Sequence, residues 1–197
     1  MTSKLRRFVL TLARLALVGA VLVLLYDSWR AVVEASGGNE LIVPFQSDHD
    51  GEAQVFYDAG AGLRAEDSAK LRTRASGELR ELDFPLPRVP LRQLRFDPFS
   101  GAGSFRIGAP RLVSAVGRVI AKFPLAAIKR RHQIGTLQRD GDAWAGATVA
   151  GADDPQLTFE MGAPLKAGRA RLPWIEAAVA AGLAVLASAL AGQPAEH

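Results

Sequence analysis

The side chains best suited to hold a ligand are Tyr57, Asp58, Arg95, Asp97 and Trp144. Aromatic faces pack on the C–H face of a sugar ring, and carboxylate and guanidinium groups exchange hydrogen bonds with its hydroxyls, so these residues read as candidate glycan contacts. The structural alternative is that Tyr57 and Trp144 serve as core or rim aromatics, and that the Asp-Pro pairs at 97–98 and 154–155 fix turns. A second candidate group is basic. Arg111, Arg118, Lys122, Lys129, Arg130 and Arg131 lie in a stretch, 98–139, that holds no Asp or Glu. Such a run suits anionic lipid headgroups or a lipid-linked phosphate, and equally a basic face left in water.

No catalytic constellation emerges. His49, His132 and His197 form no Glu-x-x-His spacing, and Asp48, Asp50 and Glu52 lack the turn glycine and distal Glu of a calcium loop. Gly60-Ala-Gly62 and Gly101-Ala-Gly103 lack the rest of a phosphate-binding fingerprint and read as turns. There is no Gly-x-Ser-x-Gly elbow, and the absence of cysteine excludes disulfides and thiolate metal sites. The expectation is a protein with no enzymatic activity, no metal and no cofactor.

The elements that would position these residues follow from hydrophobic period. Residues 41–45, 53–58, 69–74, 79–84, 92–96, 104–108, 133–139, 143–149 and 156–161 carry short strand patterns separated by Gly, Pro and Asp turns. Such spacing predicts a mainly β domain over 41–165, an antiparallel β-sandwich of jelly-roll-like form. Residues 111–123 place Leu112, Val116, Val119, Ile120 and Phe123 at helical spacing, with Arg111, Arg118 and Lys122 opposite. The pattern predicts one inserted amphipathic helix.

Apolar segments bracket this domain. After a basic N-terminus (1–7), residues 8–26 contain one charge, Arg14, and as a helix would extend about 28 Å, close to a bilayer's hydrocarbon thickness. Lys4, Arg6 and Arg7 precede it, so the N-terminus is expected in the cytoplasm and the domain outside. A cleaved signal peptide, with Val33 and Ala35 before the cut, is the alternative. Residues 27–40 read as a linker. A second linker, 166–171, leads to an Ala-rich segment, 172–191, expected to be a second transmembrane helix or a helix lying on the surface, and then to a tail, 192–197. The formal net charge of +4 is matched by Lys4, Arg6, Arg7 and Arg14 alone, so nucleic acid is not an expected partner.

Gln54-Val-Phe-Tyr-Asp-Ala-Gly, Leu82-Asp-Phe-Pro-Leu-Pro, Leu94-Arg-Phe-Asp-Pro and Gly151-Ala-Asp-Asp-Pro-Gln-Leu give the domain a family likeness. It resembles the extracytoplasmic jelly-roll-like, carbohydrate-binding-like modules of bacterial polytopic membrane proteins of the glycosyltransferase and surface-polysaccharide type. Those proteins continue into many membrane helices that hold the catalytic site. The resemblance therefore implies an accessory protein of the inner membrane for envelope glycan assembly. Its partners would be the lipid bilayer, a separate integral-membrane glycosyltransferase, and a glycan or lipid-linked glycan. The alternative is a non-catalytic scaffold of a membrane complex that touches no sugar.

Overall fold

A computed structural model describes residues 3–165. The segments expected at 166–171, 172–191 and 192–197 lie outside the described residues.

The chain begins with one long helix, α1 (Ser3–Ser36). It runs through residues 27–36, expected as linker, because no Pro interrupts them and the next helix breakers are Gly37 and Gly38. Leu12, Leu15, Val18, Leu22 and Leu25 are all at least half exposed. Its 20-residue stretch Arg14–Val33 is long and apolar enough to cross a membrane, with a mean hydropathy of 1.7 and no part of it buried against protein. Tyr26 and Trp29 follow one another near its end, ring centroids 6.2 Å apart.

Twelve strands follow among the described residues: β1 (Asn39–Ser47), β2 (Gly51–Asp58), β3 (Ser68–Thr73), β4 (Arg80–Leu86), β5 (Gln93–Asp97), β6 (Ser104–Gly108), β7 (Arg111–Ser114), β8 (Val119–Lys122), β9 (Ile128–His132), β10 (Ile134–Asp140), β11 (Ala143–Thr148) and β12 (Gln156–Phe159). All nine expected strands form. They make two antiparallel sheets, one of seven strands in the order β10-β11-β6-β1-β7-β8 with β4 also on β1, the other of five in the order β3-β2-β5-β12-β9. The architecture is mainly β and consistent with a β-sandwich.

Strand β1 is the hub. Alternation turns Leu41, Val43 and Phe45 into the core, while β4 pairs along one side from Asn39↔Leu86 to Phe45↔Arg80. On its other side β1 meets β7 and then β6, so 104–114 is one bent strand broken at Ala109-Pro110, where proline has no N–H for the ladder. The two sheets share a core in which Phe45 of the larger sheet meets Phe96 of the smaller edge to face, at 5.3 Å between ring centroids.

The amphipathic helix expected over 111–123 is instead the hairpin of β7 and β8. Gly117 adopts φ +75°, and its N–H donates to the Ser114 carbonyl at 2.8 Å while Ser114 N–H donates to the Arg118 carbonyl at 2.9 Å. A helix would have carried Gly117 in its interior at a cost of about 1 kcal/mol, and Val113, Val119 and Ile120 suit strands better. Burial confirms the period. Leu112 and Phe123 are enclosed, whereas Val119, on the same supposed helical face, is 45% exposed. The basic stretch after Pro124 holds a further strand, β9, reached through a single 3-10 turn at Leu125–Ala127.

Candidate functional site

Alternation along β5 buries Leu94 and Phe96 in the core and sets Arg95 and Asp97 on the outer face of the five-stranded sheet. Register places Arg95 between Phe56 on β2 and Thr158 on β12, and Asp97 opposite Gln54. The Arg95 guanidinium carbon lies 3.8 Å over the Phe56 ring centroid, and Nη2 donates to Asp97 Oδ2 at 2.8 Å. This pair is mostly withdrawn from water, with side chains 17% and 12% exposed.

That withdrawal dominates the electrostatics. Burial pushes the Asp97 carboxyl up to about 6, against the hydrogen bond and charge of Arg95; Asp154 adds to the rise and Arg131 opposes it. Asp97 Oδ1 and Arg95 Nε are buried without a hydrogen-bond partner. The neighbouring loop is held by Gln133, whose Oε1 accepts from the N–H groups of Asp153 and Asp154, both at 2.8 Å. Gln156 Nε2 then donates to Asp154 Oδ2 at 2.6 Å. Among the described residues no three His, Cys, Asp or Glu side chains gather to hold a metal.

The other candidates lie elsewhere. Tyr57 faces inward, opposite Leu94, and packs against the core. Asp58 closes the next turn: Oδ1 accepts from Gly60 N–H at 2.6 Å and Gly62 N–H at 2.9 Å, and these bonds, the Gly60 one foremost, hold its carboxyl below the usual range. Trp144 belongs to the seven-stranded sheet, where its indole N–H donates to the Leu125 carbonyl at 2.7 Å. Of the five candidates the fold thus joins Arg95 with Asp97 and separates the rest.

The basic residues divide between the β7–β8 hairpin, of which β8 is an edge strand, and the edge strand β9. Arg111 and Lys122 are partners across β7 and β8, Arg118 sits in the turn between them, and Arg111 Nη2 meets Glu81 Oε2 at 2.7 Å. Lys129, Arg130 and Arg131 lie on β9, the outermost strand of the smaller sheet; Lys129 stands 3.7 Å from Glu160, and Arg130 Nη1 donates to the Gly135 carbonyl at 3.0 Å. Charge on an edge strand discourages further strand pairing, which gives these positions a structural role in addition to any contact with lipid.

Phe56, Gln133 and Gln156 were not singled out as site residues in the sequence, and Asp154 was read there as a turn residue. Phe56 could have been found from the alternation of β2, which sends Ala53 and Val55 inward and Phe56 outward; the others depend on register and loop closure. Comparison with family models, with curated proteins and with solved structures finds no match for this chain.

Proposed function

We propose that the chain is a membrane-tethered, jelly-roll-like extracytoplasmic module of the bacterial inner membrane that binds carbohydrate and assists a separate integral-membrane glycosyltransferase in assembling an envelope glycan. The observation that supports this most directly is the passage from α1 to β1. An apolar helix whose stretch of membrane length, Arg14–Val33, has no buried residue leads through Gly37-Gly38 into a two-sheet β domain. Basic residues before the apolar stretch of the helix favour a cytoplasmic N-terminus and so a domain outside. Recognition is the reading favoured because the polar groups on the sheet faces offer donors and acceptors in ladder register.

The test is purification of the full-length protein from its own membranes in mild detergent, beside an unrelated tagged membrane protein. Stoichiometric recovery of a polytopic glycosyltransferase, with glycan retained on the complex, is the expected result. Recovery alone, together with no glycan affinity, overturns the reading. A scaffold that touches no sugar is the second reading, favoured by the exposed Val119 on edge strand β8, and it would recover the enzyme without glycan affinity.

A further inference from the structure

The outer face of the seven-stranded sheet carries an open cleft of 390 Å³, within the ~300–1,000 Å³ of small-molecule sites. Two cross-strand rows build it. In the first, Gln46, Arg106, Ala145 and Gln138 are successive partners across β1, β6, β11 and β10. In the second, Ser104, Ala147 and Thr136 are partners across β6, β11 and β10, and Asp48 closes the row by accepting the Ser104 N–H at 2.9 Å. The strand period that sends Phe105 and Ile107 into the core is what points these residues outward.

We infer that this cleft binds a neutral, hydroxyl-rich ligand, a saccharide, as the recognition site of the module; the inference rests on the carbohydrate-binding reading above. Three features carry it. Gln46 Oε1 and Arg106 Nε, an acceptor and a donor on neighbouring strands, have no hydrogen-bond partner. Both atoms are buried, and a hydroxyl is the simplest group that donates to one and accepts from the other once the side chains turn toward the cleft; the turn of Gln46 breaks no side-chain bond, and that of Arg106 loosens its contact with Asp140. Second, the charged groups at the rim already have hydrogen-bond partners. Arg106 Nη2 meets Asp140 Oδ2 at 2.9 Å, and Asp48 Oδ1 is 2.6 Å from His49 Nδ1, so an incoming anion faces two carboxylates and a cation faces a guanidinium. Third, Ala145 and Ala147 keep the floor low and apolar, which suits the C–H face of a sugar ring, while Thr136 and Gln138 stand exposed beside it with further hydrogen-bonding groups.

The experiment uses the full-length protein in detergent and neutral, fluorescently labelled oligosaccharides released by mild acid from the envelope polysaccharide of the cell that makes it. The unvaried protein binds; Gln46→Leu, which removes the acceptor, and Ala145→Leu, which fills the floor, each weaken binding about tenfold or more. Thr136→Val, at an exposed position that carries little folding risk, weakens it in the same direction, and Lys70→Gln on the opposite sheet leaves it unchanged. If all three cleft variants, folded by their unfolding curves, bind within about twofold of the unvaried protein, the cleft is not the site although the module still binds carbohydrate. If the unvaried protein binds no oligosaccharide, the carbohydrate reading and this inference fall together. Binding of inorganic phosphate without response to the neutral oligosaccharides overturns the ligand class.

Discussion

Arg95 and Asp97 stand two residues apart on the outer face of β5, joined at 2.8 Å, with the Arg95 guanidinium carbon 3.8 Å over the Phe56 ring. The period of the strand brings them to one side, and the flanking strands cover them. A pair so enclosed is not a surface ion pair. Its energy is set by competition between the cost of dehydrating a carboxylate and the attraction of a guanidinium whose orientation the Phe56 ring fixes.

Proton uptake by Asp97 makes stability depend on pH. In the unfolded chain the carboxyl titrates near 3.8 and in the folded protein near 6, so the native state holds the extra proton between those values. The stabilisation linked to this group is complete below 3.8 and is lost as pH rises through about 6, on the order of 3 kcal/mol across the window. Asp97→Asn cannot titrate, so its stability relative to the unvaried protein should rise from pH 4.5 to pH 7 in denaturant titrations. A difference that stays flat across that range refutes the assignment.

Removing Arg95 exposes the other side of the same balance. Arg95→Ala leaves Asp97 buried without its counter-charge, and loss of one partner of a buried pair costs about 3–5 kcal/mol, less wherever the carboxyl can take a proton. The penalty should therefore be smaller at pH 5 than at pH 7.5, and Asp97→Asn introduced alongside should recover part of it. Carboxyl resonances followed by NMR should place the Asp97 titration in Arg95→Ala above its position in the unvaried protein.

Trp144 is predicted to matter for stability more than for ligand. Its indole N–H holds the Leu125 carbonyl, in the crossing from β8 of one sheet to β9 of the other. Trp144→Phe keeps an aromatic ring but removes the donor and the pyrrole part of the indole, so it should cost about 1–3 kcal/mol in unfolding. Oligosaccharide affinity measured on the folded variant should not change; a loss of affinity without a loss of stability would place Trp144 at the site after all.

The strands legible in the sequence are those with one dry face. Leu41, Val43 and Phe45, or Phe105 and Ile107, alternate because one side of each strand meets the shared core. Strand β9 was illegible for the opposite reason: Ile128 is its single buried residue, and Lys129 to His132 are exposed on an edge, so charge hides the period. The hairpin of β7 and β8 was misread because five apolar residues in thirteen satisfy a helical period by coincidence. What decides the matter is the pairing of β7 with β1, a contact about seventy residues distant in sequence. The candidate site divides in the same way. Arg95 and Asp97 share a strand, and their proximity is local, whereas the row Gln46, Arg106, Ala145 and Gln138 exists only through the register of four strands.

Gly117 offers a test in which hairpin and helix differ in sign. A Cβ built at this glycine meets nothing within 4 Å, so Gly117→Ala changes the backbone term alone. At φ +75° an alanine pays the left-handed penalty, about 1–2 kcal/mol, and the protein should lose that much stability. In a helix over 111–123 the same substitution would add about 1 kcal/mol, because alanine is the better helix former. Gly146→Ala makes the contrast within the sheet, since its φ is not in the left-handed region and the cost there comes from packing. The new methyl would meet the Phe105 ring, and overpacking of this kind costs about 1–3 kcal/mol. Pairing Gly146→Ala with Phe105→Leu should relieve part of that cost by vacating the space, while Phe105→Leu should leave the Gly117→Ala penalty as it was. Denaturant midpoints of the three single and two double variants separate the backbone effect from the packing effect.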